Sequence, residues 1–174
     1  VFIVDDDTES RESVCTLISV LDVPVTTFSS AEEFLAVYDG EPGCLVTDLR
    51  MPGLSGVELL EQLNERDQQL PAVLISGYAY VSVTVEAMQQ GALTLLEKPY
   101  RENELWNVVR SALAQDLHAR AVREERSSIR SRLSELTADE RSVMELIVEG
   151  MPNKLIAVKL DVGLRTVEAR RRSI

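Results

Sequence analysis

The sequence predicts an α/β protein: a (βα)5 doubly wound sheet of five parallel strands, then a helical linker and a small all-α domain. Five short apolar runs alternate with amphipathic segments of about 10 to 15 residues, the pattern of βαβ units whose sheet is covered on both faces. The acidic pair Asp5 and Asp6, then Asp48, Ser76 and Lys98, each stand just past such a run. In an open parallel sheet those positions share the carboxyl edge, where ligands bind. Charge divides the chain as well. Residues 1–104 hold 5 Lys or Arg against 19 Asp or Glu, net −14, whereas residues 105–174 hold 13 against 10, net +3. The two parts should meet different partners.

The first strand is 1–4. Thr8 is placed to cap a helix in which Val14, Leu17, Ile18 and Leu21 recur at helical spacing up to Asp22, and Pro24 breaks it. A strand at 25–28 leads to Ser29 and Ser30 as caps of a run with Phe34, Leu35 and Tyr38. The loop 39–43 has turn composition, the third strand runs 43–47, and the loop 51–56 enters a helix carrying Val57, Leu60 and Leu63. Pro71 opens the fourth strand, 72–75. A helix over about 81–90 stops at Gly91 as C′ residue, and the fifth strand is 92–96. From Arg101 to about Leu133 neither Gly nor Pro occurs, and Leu105, Val109, Leu113 and Leu117 follow i, i+4 spacing. The last helix of the first domain is therefore expected to run on into the linker. The domains expected are 1–114, a linker 115–134, and 135–174.

In the second domain, TADE at 137–140 is a capped helix start, Val143, Met144, Leu146 and Ile147 an apolar face, and Gly150 a stop. A short helix from Pro152 and Asn153 through Leu160, a turn at 161–163 and an arginine-rich helix at 164–174 complete a helix-turn-helix pattern.

A length of 174 residues suits one ordinary domain plus a small one, and a 45% hydrophobic fraction is globular. No apolar stretch approaches the roughly 18 to 20 residues of a membrane span, so no membrane partner is expected. Cys15 and Cys44 lie in apolar periodic segments and are expected to fill core, which fits a reducing cytoplasm. The sequence opens on a strand without an initiator Met, which suggests trimmed ends, and shows no basic, apolar leader.

Three carboxylates within a few ångströms repel one another, and a hard cation resolves this. Mg²⁺ takes oxygen ligands, commonly one or two carboxylates, and keeps waters that a phosphate replaces. With Lys98 sharing the charge of an incoming phosphoryl group, Asp48 could attack phosphorus in line and become an acyl phosphate.

The segments VDDD (4–7), VTDLRMPG (46–53), LISG (74–77) and GALTLLEKPY (91–100) resemble the receiver domain of two-component response regulators, a flavodoxin-like fold. Asp6 to Asp48, Asp48 to Ser76 and Asp48 to Lys98 are 42, 28 and 50 residues apart, spacings normal for that family. The resemblance implies that Asp48 accepts phosphate from a sensor histidine kinase, and that Asp5, Asp6 and Asp48 bind Mg²⁺ with the backbone carbonyl of Arg50. It also implies that Ser76 and Lys98 bind the phosphoryl oxygens, with a frequent cis peptide before Pro99. Leu95 replaces the aromatic residue whose ring commonly reports switching. Phosphorylation is expected to shift the surface around 80–90 and Leu95 toward a dimer. Asp7 is expected to be surface, and His118 an exposed helix residue rather than a relay histidine.

The segment 136–172 resembles the helix-turn-helix of LuxR-type regulators, its specific core being NKLIA (153–157), Arg165, Thr166, Val167 and Arg170. The whole chain is thus similar to NarL/FixJ-type response regulators. By that resemblance the last helix enters the major groove of double-stranded DNA. Glu168, Ala169 and Arg172 would face bases, and Lys154, Thr166, Arg170 and Arg171 would face phosphates. Asp161 stands where Gly is usual in the turn, and Gly163 where Ser is usual as N-cap. The sequence ends at Ile174, before the family's final helix, so the expectation is a C-terminally incomplete domain that binds DNA poorly by itself.

Two other classes compete. A Mg²⁺-dependent phosphatase of the aspartate-nucleophile type would carry D-x-D-x-T at the first strand, and Asp5, Asp7 and Glu9 break that pattern at the threonine. A phosphotransfer or protein-interaction module would dock a partner by its helical tail and leave no footprint on DNA. The leading expectation is a transcription factor that catalyses only its own phosphorylation and dephosphorylation.

Overall fold

The computed structural model describes residues 1–77 and 81–174, with only the backbone of 81 and 82. Among the described residues the elements run β1 (Phe2–Val4), α1 (Thr8–Ser19), β2 (Thr26–Phe28), α2 (Ala31–Val37), β3 (Leu45–Asp48), α3 (Gly56–Glu65) and β4 (Ala72–Ser76). Then come α4 (Val81–Gln89), β5 (Ala92–Glu97), α5 (Glu102–Glu135), α6 (Ala138–Val148), α7 (Asn153–Lys159) and α8 (Leu164–Ser173). The chain forms two compact units, Val1–Arg120 and Ala121–Ile174, divided within α5. No helix among the described residues is long and apolar enough to cross a membrane.

In the first unit the five strands are parallel in the order β2-β1-β3-β4-β5. Their apolar runs have little polar alternation because both faces are covered. Val4, Leu45, Ala72 and Leu74 join the core under α2, α3 and α4, whereas Ile3, Val46, Val73 and Ile75 join the one under α1 and α5. Phe34 on α2 is fully buried, and its ring packs against Phe2, Phe28 and Tyr38 at centroid distances of 5.7, 5.3 and 5.0 Å. Cys44 is buried and Cys15 half-buried, both free thiols, and burial pushes Cys44 up to about 11. Both fill core, as expected.

Two local readings need correction. Asp7, not Thr8, caps α1: its backbone is extended and its carboxylate accepts the Ser10 amide at 2.9 Å. The helix stops at Ser19 rather than Asp22, whose φ of +53° takes it out of the right-handed helix. Leu117 is 73% exposed, and the buried face of α5 is Leu105, Val109, Ala112 and Asp116. Each i+4 step overshoots a full turn by about 40°, so three steps carry Leu117 about 120° off the face that Leu105 starts.

The buried Asp116 makes that turn of α5 a clasp. Its Oδ2 accepts the Gly43 amide at 2.9 Å and Arg120 Nε at 2.7 Å, while Arg120 Nη2 donates to the Glu41 carbonyl at 2.9 Å. Every hydrogen bond here ends on a charge, as a buried carboxylate requires. His118 is exposed, as expected.

The second unit has a small core of Val143, Leu146, Ile156 and Val167. Thr137 caps α6 in a reciprocal box with Glu140, the arrangement its sequence predicts. Asp161 adopts φ +52° in the turn, and Gly163 caps α8 without a side-chain hydrogen bond.

Candidate functional site

The strand order reverses direction of growth at β1, which has β2 on one side and β3 on the other. Such a switch point opens a crevice beyond the strand ends. Register pairs Val4 with Thr47, so Asp5 and Asp48 leave the sheet side by side. Asp5 is nearly buried, Asp48 and Lys98 are half-buried, and Asp6 is exposed.

Lys98 Nζ stands 2.9 Å from Asp48 Oδ1 and 3.6 Å from Asp5 Oδ2. Burial works against the Lys98 charge, but the hydrogen bond to Asp48 and the charges of Asp48 and Asp5 outweigh it, and its pKa is raised. The other oxygens are also engaged. Asp5 Oδ1 accepts the Asp7 amide at 2.9 Å, and Asp48 Oδ2 accepts the Arg50 amide at 2.8 Å. Ser76 is buried at the end of β4, and its carbonyl accepts the Lys98 amide at 2.7 Å. The Lys98–Pro99 peptide is cis. Leu95 is half-buried against the core under α3 and α4. Tyr80, part of the expected switch surface, lies outside the described residues.

Among the described residues no group of three His, Cys, Asp or Glu side chains is arranged to hold a metal. Here Lys98 supplies the positive charge that the neighbouring carboxylates require. The donors still fit Mg²⁺, a hard cation that takes one or two carboxylates and completes its shell with water.

Sequence reasoning missed Ser10. Its hydroxyl donates to Asp5 Oδ2 at 2.6 Å and accepts from Lys98 at 2.9 Å. A serine in a helix's first turn carries no pattern that would single it out. An open groove of about 380 Å³ beside the site is lined by Ser10, Ser13, Leu17, Lys98 and Tyr100 among others.

Gly56 fixes the loop that carries Asp48 into α3. A Cβ there would stand 2.5 Å from the Asp48 carbonyl oxygen and 3.2 Å from Thr47 Cγ2. Gly56→Ala is expected to cost about 1–3 kcal/mol by overpacking, read as a lower urea midpoint. An unchanged midpoint would show that the loop yields freely.

In the second unit α8 turns Val167 inward and, at 100° per residue, Arg165, Ala169 and Arg172 outward. Lys154, Thr166 and Arg171 are exposed as well, and Glu168 is half-buried. Arg171 Nη1 donates to Asn153 Oδ1 at 2.8 Å. Arg170 differs from expectation: three residues after Val167 it shares the inward stripe, and its guanidinium is bound to Asp139 on α6.

Residues 1–110 match the response regulator receiver domain, and residues 134–174 match the luxR family of bacterial regulatory proteins. The chain is a response regulator. Over 175 aligned residues this response regulator is 39% identical to the transcriptional regulatory protein FixJ of Rhizobium meliloti, spanning all of the chain and 86% of that protein. It is 34% identical to the response regulator protein TodT of Pseudomonas putida, covering all of the chain and 77% of TodT. Among solved structures, the response regulator StyR superposes with a TM-score of 0.91 at 37% identity, covering 99% of this chain and 88% of that one. Full-length FixJ from B. japonicum gives a TM-score of 0.65 at 36% identity, covering 99% and 85%. A receiver joined to a LuxR-type helix-turn-helix makes this response regulator a transcription factor. The relatives support neither the phosphatase nor the interaction-module alternative.

Proposed function

We propose that Asp48 is the phosphoacceptor and that its phosphorylation by a sensor histidine kinase controls dimerisation and DNA binding. The observation that carries this is the Asp48 carboxylate at the switch point, 2.9 Å from the Lys98 ammonium, on a chain whose other end is a helix-turn-helix. An Asp48 oxygen attacks phosphorus as the phosphorus–nitrogen bond to the kinase imidazole breaks, and the leaving imidazole takes up a proton. Lys98 moves from the carboxylate to the arriving phosphoryl oxygens, and the Ser76 hydroxyl donates to one of them. Asp5, Asp6, Asp48 and the Arg50 carbonyl would hold Mg²⁺, which when bound neutralises charge on the transferring group. The protein acts in the cytoplasm and catalyses only its own phosphorylation and dephosphorylation.

In the homodimer, Ala169, Arg172 and Glu168 read bases of double-stranded DNA, with Arg165 on the same outward face. Lys154, Thr166 and Arg171 meet phosphates, and Arg170 joins them only by exchanging Asp139 for a phosphate oxygen. Each neutralised phosphate adds a slope of about −0.9 to log K against log salt, so affinity should fall steeply as salt rises.

The test is incubation with acetyl phosphate and Mg²⁺, followed by mass spectrometry, sedimentation and binding to genomic DNA fragments at two salt concentrations. The expected result is one phosphoryl group on the Asp48 peptide, a faster-sedimenting species and tighter, salt-sensitive binding. A phosphorylated Asp48 with unchanged sedimentation would sink the dimer, and no footprint of the intact protein in either state would sink DNA control.

A further inference from the structure

Ser10 lies between two opposite charges of the acidic site. Its hydroxyl donates to Asp5 Oδ2 at 2.6 Å and accepts from Lys98 Nζ at 2.9 Å, while those two charged atoms stay 3.6 Å apart. We propose that Ser10 is a positioning residue for phosphoryl transfer: its hydroxyl satisfies Asp5 and holds the Lys98 ammonium on Asp48 rather than on Asp5. This rests on Asp48 being the phosphoacceptor.

A hydroxyl can donate to a carboxylate and accept from an ammonium at once, which neither Ala nor a second charge can do. The 2.6 Å contact lies in the range of charge-assisted O–H···O⁻ bonds. Placement of the hydroxyl is built into the first turn of α1. Asp7 accepts the Ser10 amide at 2.9 Å, and the next residue, Arg11, donates from Nη1 to the Asp5 carbonyl at 2.6 Å. Cap, spacer and acidic residue are therefore one local unit. Without the hydroxyl, Asp5 Oδ2 loses its nearest donor and Lys98 is the replacement at hand. The ammonium then shifts from Asp48 to Asp5, and phosphoryl oxygens arriving at Asp48 no longer meet the Lys98 ammonium in place.

The experiment uses the full chain as wild type, Ser10→Ala, Ser10→Thr and Asp48→Asn, with acetyl phosphate as donor at saturating Mg²⁺. Mass spectrometry follows phosphorylation over a range of donor concentrations, and thermal melts check folding. Ala is a better helix former than Ser, so α1 should persist. Ser10→Ala should lower the maximal rate about tenfold, the scale of one hydrogen bond to a charged group, with little change in the half-saturating donor concentration. Ser10→Thr, which restores the hydroxyl, should restore the rate. A wild-type rate in Ser10→Ala overturns the proposal, as does a Ser10→Thr as slow as Ser10→Ala, which would make the role steric. If wild type gains no phosphoryl group, or Asp48→Asn gains one equally, the phosphoacceptor reading fails and the Ser10 role falls with it.

Discussion

Asp48→Asn is expected to leave the protein folded and reduce its uptake of a phosphoryl group from acetyl phosphate to background. An amide oxygen is not a nucleophile toward phosphorus at neutral pH, so the substitution removes the attacking group itself. Structural cost is small because the change is local. The Asn carbonyl can accept from Lys98 or from the Arg50 amide, which the two Asp48 oxygens now serve separately at 2.9 and 2.8 Å. One of those contacts is lost, about 1 kcal/mol for a partly exposed bond. Removing one carboxylate from beside Asp5 relieves repulsion and offsets part of that loss. Thermal melts should therefore differ little between the proteins. Sedimentation and DNA binding should respond to the phosphodonor in wild type only. A variant that dimerises with acetyl phosphate as wild type does would remove Asp48 from control.

Phe34→Ala should bring the largest loss of stability, about 3–5 kcal/mol for a fully buried aromatic side chain. The ring is the hub of a four-ring cluster: it stacks on Tyr38, meets Phe28 edge-on and tilts against Phe2. Phe2 also packs on Tyr38 at 5.3 Å. Truncation empties the centre of that group beneath β1 and β2, and a helix of seven residues has few other anchors to close the gap. Against a typical total of about 5–15 kcal/mol, such a loss would leave the first unit marginal. Urea unfolding followed through that unit reads it directly, and a change under about 1 kcal/mol would show that the cluster is not what holds α2 on the sheet.

The strands and the acidic edge were legible because buried parallel strands write themselves as short apolar runs, and residues at their ends share one side of the sheet. Asp5, Asp48 and Lys98 could be named from position alone, since backbone register dictates that they meet. Side-chain choices within helices were less legible. Asp7 acts inside the first turn of α1 and Ser10 reaches from that turn to Asp5 and to Lys98, 88 residues away, yet hydroxyls and carboxylates there look like any solvated helix start. Asp116 was hidden because charge on a helix reads as surface, and only the partner Gly43, 73 residues away, makes it core. The Arg170 contact was hidden for a related reason. An arginine run reads as one basic face, but helix geometry turned its first member toward Asp139.

The clasp formed by Asp116, Arg120 and Gly43 bears on how such proteins can be recombined. Grafting this receiver onto a foreign effector requires a junction in the long helix, and a splice at residue 114 would discard both ionic members of the clasp. The Gly43 amide would lose its acceptor, and the Glu41 turn the guanidinium that closes over it. A splice after Arg120 keeps them. Transplanted receivers that begin the foreign sequence there should express as well-behaved proteins, whereas those joined six residues earlier should be prone to proteolysis at the turn between α2 and β3.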